Sequence, residues 1–310
     1  MYKTHFMKKL LKRLGRFLLT LIFGIVLAGI LLPVFYKEEL LNALKEIANE
    51  KLTATVDFKD ASLSFFRSFP DIEISIDSLS VMGRDTFDGI ILYKAPQTSI
   101  SFNFTSLIGK NRIPEINNIT ATKPEINIVI LDTIHANYLI TNNTAQDSAA
   151  YQLMLESYKI SGGKLTYQDN TLNLFMVADN VNHSGNGDFT QDIFNLDTDT
   201  EIKDLYLKYS GTEYLKHASA SLKSKINVNF PEQKYTLLDN ILKINDLDIK
   251  GDGYVQFKEE GILNDFSFKT ESESFKSLIS ILPNAYTKDF NNVKSSGSAS
   301  FSGNIKGIYN

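Results

Sequence analysis

The sequence predicts a mainly β protein, in which a long, twisted antiparallel sheet follows one transmembrane helix and a short amphipathic helix. Three observations carry this reading. The run Phe17–Phe35 contains no charge and stands directly behind a cluster of basic residues. Residues 37–52 then place apolar side chains at three- and four-residue spacings. From Thr53 onward the spacing falls to two, in short runs separated by Gly, Asn and Asp.

Residues 1–16 form a basic tail with Lys8, Lys9, Lys12, Arg13 and Arg16. Residues 17–36 follow as the span. At about 1.5 Å per helical residue the uncharged run covers roughly 28 Å, close to the ~30 Å hydrocarbon core. Basic residues ahead of a span predict that the tail stays in the cytoplasm and the C-terminal bulk is exported. The alternative is a cleaved signal peptide, but its apolar region runs to only about 7–15 residues. The small pair Ala28-Gly29 lies inside the run and lacks an A-x-A spacing.

The chain has 310 residues, a net charge of −4 and no cysteine. Since the tail carries six basic residues (Lys3 included) and no acid, the remainder carries −10. An acidic body repels phosphate backbones, which excludes nucleic acid as the expected partner. Without cysteine there is no disulfide framework, thiolate nucleophile or thiolate metal site.

Residues 37–52 read as an amphipathic helix: Leu40, Leu44 and Ile47 share a side with Leu41, Ala48 and Leu52, and Asn42, Lys45, Glu46 and Asn49 take the other. Such a helix lies on headgroups or plugs the end of a sheet, and the plug is the favoured reading. Residues 53–310 form the β domain. Ile72, Ile74 and Ile76 alternate with Glu73, Ser75 and Asp77, and Leu79 and Val81 continue one residue out of phase. Ile100, Phe102 and Phe104 alternate with Ser99, Ser101 and Asn103. Ile126, Ile128 and Ile130 follow Pro124; then come Leu172, Leu174 and Met176, and Ile226, Val228 and Phe230. Leu247 with Ile249 and Phe266 with Phe268 complete the series. Each run is a half-buried strand with one apolar face. Gly83-Arg84-Asp85, Gly109-Lys110-Asn111, Gly162-Gly163, Gly185-Asn186-Gly187-Asp188 and Gly251-Asp252-Gly253 are the predicted turns, and short turns imply an antiparallel meander. Residues 151–158 suit either a strand or a helix. A short helix is expected over Ser274–Leu282, ended by Pro283. The chain stops just after a strand-like segment, so Asn310 reads as a truncation point.

Chemistry is sparse. His5, His135, His183 and His217 are far apart and lie in no metal-binding frame, so surface or turn positions are expected and no metal site is assigned. Gly162-Gly163-Lys164-Leu165-Thr166 lacks the flanking Gly and Ser/Thr of a phosphate loop and reads as a hairpin turn. Asp197, Asp199, Glu201 and Asp204 lack the glycine of a calcium loop and read as the solvated face of a strand. No nucleophile–base pair can be named, so neither a catalytic residue nor a cofactor is assigned and an envelope hydrolase is disfavoured.

The order of parts resembles a known family. Tyr36-Lys37-x-x-Leu40 opens the first helix, followed by Leu52-x-Ala54-x-Val56 and Leu63-Ser64-Phe65-Phe66-x-x-Phe69-Pro70. Then come Ile72-x-Ile74-x-Ile76-x-x-Leu79-x-Val81 and a strand centred on Pro96 that runs to Ser106-Leu107-Ile108. Farther on stand Ile119-x-x-x-x-Pro124-x-Ile126-x-Ile128, Gly162-Gly163-Lys164-Leu165-x-Tyr167-x-Asp169 and Leu278-x-x-x-Leu282-Pro283. This ordered set is similar to the N-terminal region of the AsmA-like family, periplasmic proteins anchored in the bacterial inner membrane. The resemblance implies an open sheet curled into an apolar groove, related to TamB and chorein-type bridge proteins that pass lipid acyl chains. It also implies a role in phospholipid transport to the outer membrane and in outer-membrane biogenesis, with outer-membrane or periplasmic proteins as further partners. On this reading Ile72, Ile74, Ile76, Ile100, Phe102, Phe104, Ile126, Ile128, Ile130, Leu172, Leu174, Ile226, Val228 and Phe230 line the groove. The residue pattern itself requires one apolar face and leaves open whether a second sheet or lipid meets it. The alternative is therefore a non-conducting assembly scaffold with a closed β-sandwich core.

Overall fold

The computed structural model describes Thr20 and residues 37–64, 71–103, 116–141, 155–189, 191–258, 260–272 and 297–309. The chain divides into two units, Met1–Glu50 and Lys51–Asn310. Among the described residues no helix is long and apolar enough to cross a membrane. The predicted span and basic tail lie outside them apart from Thr20, as do Phe104, the turn at 109–111 and the expected helix at 274–282.

Helix α1, Lys37–Lys51, falls within the predicted range, with Leu41 buried and Asn42, Glu46 and Glu50 exposed. Leu52, expected in the helix, instead bridges Thr141.

Among the described residues the second unit carries fourteen strands in one curled sheet: β1 (Ala54–Asp57), β2 (Asp60–Ser64), β3 (Asp71–Gly83), β4 (Ile91–Asn103), β5 (Ile116–Thr122), β6 (Glu125–Ile130), β7 (Ser157–Asp169), β8 (Leu174–Gly187), β9 (Ile193–Tyr209), β10 (Thr212–Asn229), β11 (Lys234–Ile244), β12 (Leu247–Lys258), β13 (Gly261–Ser272) and β14 (Ala299–Tyr309). From β7 to β14 each strand pairs antiparallel with the next, as a meander requires. The sheet is nevertheless mixed, because β5 and β6 both run parallel to β7. A chain that leaves β6 at Ile130 and re-enters at Ser157 spends a long connection returning to the same end, and a parallel pair needs that length.

Two positions of the sheet are shared. β1 and β2 both pair with β3, and β5 and β6 each supply part of the position between β4 and β7. Fourteen strands thus occupy twelve positions, about 53 Å along the curl at ~4.8 Å spacing.

A line of irregularities crosses the sheet. Ser78 on β3 has a positive φ of 56°, and it stands where the apolar alternation changes phase. Pro96, skipped in the same register, lies opposite it on β4. The line continues through Lys123-Pro124 between β5 and β6, Gly162 (φ 63°) on β7 and Asn180 (φ 52°) on β8, and ends a row away at His217 (φ 54°) on β10. Pro124 has no N–H to give a neighbour, so the ladder breaks there. The break is stitched by Lys123 N–H to Ser161 O and Lys164 N–H to Pro124 O, both 2.7 Å.

Gly162-Gly163 is therefore an interior bulge of β7 and not the predicted hairpin turn. A Cβ on Gly163 would stand 2.9 Å from Ile160 Cγ2 and 3.1 Å from Pro124 Cγ, so glycine permits the close approach of these strands. Gly251-Asp252-Gly253, also predicted as a turn, lies inside β12.

A candidate apolar groove

Because paired residues in a β ladder share a face, the registers sort every strand residue to one side of the sheet. Ile72, Ile74 and Ile76 pair with Phe102, Ile100 and Thr98 on β4. Thr98 and Ile100 pair with Ala121 and Ile119 on β5, and these with Ile160 and Tyr158 on β7. On the other side of the break, Ile126, Ile128 and Ile130 pair with Leu165, Tyr167 and Asp169. Leu165, Tyr167 and Asp169 in turn pair with Ala178, Met176 and Leu174 on β8. The same face continues over Leu205 and Leu207 on β9, over Ile226 and Val228 on β10, and through Leu242, Ile249 and Phe268 to Phe301. The bulges matter here: each shifts the alternation by one residue, so apolar side chains stay on one face on both sides of the line.

The opposite face carries Glu73, Ser75, Ser99, Asn118, Lys159, Asp197, Asp199, Lys223, Lys225, Lys250 and Lys269 at the intervening registers. Lys223 Nζ lies 3.7 Å from Asp199 and Lys225 Nζ 3.9 Å from Asp197. These exposed pairs hold the strand carboxylates in a charge ladder that contributes little individually. Asp204 meets His217 Nδ1 at 2.9 Å on the same exposed side. Among the described residues no group of three His, Asp or Glu side chains could hold a metal ion.

The predicted lining residues divide as follows. Ile72, Ile74, Ile76, Ile100, Phe102, Ile126, Ile128, Ile130, Leu174, Ile226 and Val228 all stand on the apolar face. Ile72 and Val228 are buried, and the other nine are half-buried. Leu172 belongs instead to the β7–β8 turn, where Asn173 takes a φ of 50°. Phe230 stands one residue beyond β10, 45% exposed, with its ring against Phe194 at a centroid distance of 5.7 Å. Both departures have one cause: alternation in sequence persists into a tight turn although the ladder has ended.

Among the described residues all fourteen strands belong to a single sheet, so no second sheet covers the apolar face. Its centre is a cluster of small and branched side chains, Ala178, Leu205, Leu215 and Ala218, with Leu165 and Ile202 packed against it. Beside it opens a concavity of about 230 Å³ lined by Pro124, Ile126, Ile160, Leu165, Met176 and Val181 among others.

Polar groups on this face hydrogen-bond to one another and to the backbone. Asp169 accepts hydrogen bonds from Thr171 N–H (2.9 Å), Thr171 Oγ1 (2.6 Å), Leu172 N–H (3.1 Å) and Tyr167 OH (3.2 Å). Burial pushes its carboxyl up, and these donors outweigh burial and hold it below the usual range. Ser224 and Asn240 hydrogen-bond across β10 and β11, and Asn240 Nδ2 donates to Gly251 O at 2.8 Å. His183, expected at the surface or in a turn, lies half-buried within β8 and faces the apolar side. Its Nδ1 is 2.8 Å from Thr200 Oγ1 and its Nε2 3.1 Å from Tyr158 OH. Burial holds the imidazole below its ordinary pKa against the pull of Asp199, and raises the Tyr158 hydroxyl. Sequence reasoning missed this group because Tyr158, His183 and Thr200 are brought together only by the β7–β8–β9 register.

Neither a family model nor a curated protein matches the sequence.

Proposed function

We propose that the chain is an AsmA-like protein of the bacterial inner membrane, whose exported sheet carries phospholipid acyl chains along its apolar face. It is not an enzyme on this reading. The observation that carries the proposal is the continuity of that face: Ile, Leu, Val and Phe side chains, most of them half-buried and those on β14 exposed, succeed one another from β3 to β14 without a charged residue between them, apart from Asp169 at the β7 end. Acyl methylenes gain about 0.8 kcal/mol each on leaving water, so such a stripe holds a chain without specific polar contacts. The opposite face, largely polar, suits a periplasmic exterior, and the uncharged run at 17–36 behind its basic tail suits a single span with the N-terminus in the cytoplasm. The scaffold alternative needs a second sheet to close a sandwich, and the described strands lie in one.

Native mass spectrometry of the full chain extracted from membranes tests this. Phospholipid adducts are expected, and a benzophenone amino acid in place of Phe102 is expected to crosslink to lipid. A lipid-free spectrum together with crosslinks to protein alone refutes the carrier reading.

A further inference from the structure

Among the described residues the apolar face holds a polar trio whose hydrogen bonds leave a donor unspent. Tyr158, His183 and Thr200 sit on three adjacent strands, joined through His183 by contacts of 3.1 and 2.8 Å. A neutral imidazole has one N–H, and each hydroxyl has one O–H, which makes three donors for two internal hydrogen bonds. In the Nδ1–H tautomer, Tyr158 donates to Nε2, Nδ1 donates to Thr200, and the Thr200 hydroxyl hydrogen is left over. In the Nε2–H tautomer, Thr200 donates to Nδ1, Nε2 donates to Tyr158, and the Tyr158 hydrogen is left over. Either way the trio presents a single hydroxyl donor.

The surroundings say where that donor is available. His183 and Thr200 line the apolar concavity together with Ile160, Val181 and Ile202. The concavity extends along the strands toward Leu165 and Met176. In the other direction β7 and β8 soon end: Tyr158 is the second residue of β7, and Gly185 on β8, paired with it, stands two residues from the end of that strand. Gly185 has no side chain where Tyr158 needs the room, since a Cβ there would fall on the tyrosine ring and hydroxyl. The ring thus lies over Gly185, its centroid 5.3 Å from that of His183. The tyrosine end of the trio therefore sits within two residues of the ends of β7 and β8, which form the rim here, with apolar strand on one side.

We propose that Tyr158, His183 and Thr200 bind the ester carbonyl oxygen of an acyl lipid, with the hydrocarbon chain lying over Ile160, Ile202 and Leu165 and the headgroup leaving past the rim. The inference rests on the carrier reading above and adds a place on the groove where a lipid is read by a polar contact. The trio is neutral, so an ester carbonyl pairs with it without bringing a charge into apolar surroundings.

The test compares a diacyl phosphatidylcholine with its dialkyl ether analogue, which lacks the carbonyl oxygens but keeps both chains and the headgroup. An equimolar mixture is offered to the full-length, delipidated protein and the bound ratio is read by native mass spectrometry, with palmitate in a separate arm. One hydrogen bond corresponds to an ester preference of about fivefold. The triple variant Tyr158→Phe, His183→Leu, Thr200→Val removes every donor while keeping apolar volume, and is expected to bind both lipids in equal ratio. Equal binding by the wild type overturns the proposal and leaves the carrier reading standing, as does an ester preference that survives in the variant. Binding of palmitate in preference to the diester overturns the ester assignment. Binding of neither lipid overturns both. If the variant does not fold, a benzophenone amino acid in place of Ile160 decides the matter: a crosslink to the diester is expected, and crosslinks to neither lipid overturn the proposal.

Discussion

A Cβ on Gly253 would collide with the Phe266 ring and the Asp265 carbonyl, and one on Gly251 would approach Ser267 O at 2.9 Å. Neither glycine has a positive φ, so their purpose is space and not backbone conformation. Each leaves a gap on the apolar face that the aromatic side chain opposite fills, which keeps the β12–β13 register fixed. Gly253→Ala is therefore expected to destabilise the protein by about 1–3 kcal/mol in urea unfolding. Gly307→Ala on β14, where a Cβ meets nothing within 4 Å, is expected to stay within about 0.5 kcal/mol. Equal effects at both positions would remove the packing account. At this scale the sequence misleads: Gly-Asp-Gly has the composition of a turn, and only the partner strand reveals it as strand interior.

The strand elements were legible where alternation is strict. β3, β4, β6, β10 and β12 appear in the sequence as runs of Ile, Val, Leu or Phe at every second residue, and the slip between Ile76 and Leu79 already marked the bulge at Ser78. Less legible were the segments whose apolar face is built from small or polar residues. β5 presents Ile119 and Ala121, β8 presents His183 and Ala178, and β10 presents Ala218, Ala220 and Ser224 beside its two recognised residues. A face made partly of Ala, Ser, Thr and His gives weak periodicity, although register places those residues as firmly as any isoleucine. The double variant Phe102→Asp, Ile128→Asp acts at this level. Both side chains are half-buried on a face whose one charged residue, among those described, is Asp169, so on the carrier reading the protein is expected to fold with reduced thermal stability and without phospholipid adducts. Complete unfolding would indicate a face sealed by protein and would favour a closed core.

For the whole molecule, the sequence indicated a β domain and one apolar face, but two features of the sheet were hidden. The parallel junction at β7 depends on a connection, 131–156, whose sequence suits a strand only from residue 151 and there suits a helix equally. The sharing of sheet positions by β1 with β2 and by β5 with β6 depends on breaks that look like ordinary loops. The proposed anchor belongs to this scale too. The intact mass of protein recovered from membranes is expected to include residues 1–36, and loss of about the first thirty residues would replace the span with a cleaved signal.

From β8 to β14 each strand pairs antiparallel with the one before it, in sequence order. Such an arrangement is modular in one dimension, since the contacts of a hairpin reach no farther than its two flanking neighbours. Excising β11 and β12 would bring β10 beside β13 with polarity preserved and shorten the sheet by about 10 Å. Duplicating a hairpin would lengthen it by the same step. Span in this architecture is thus counted in pairs of strands, and can change between descendants without redesign of what lies on either side.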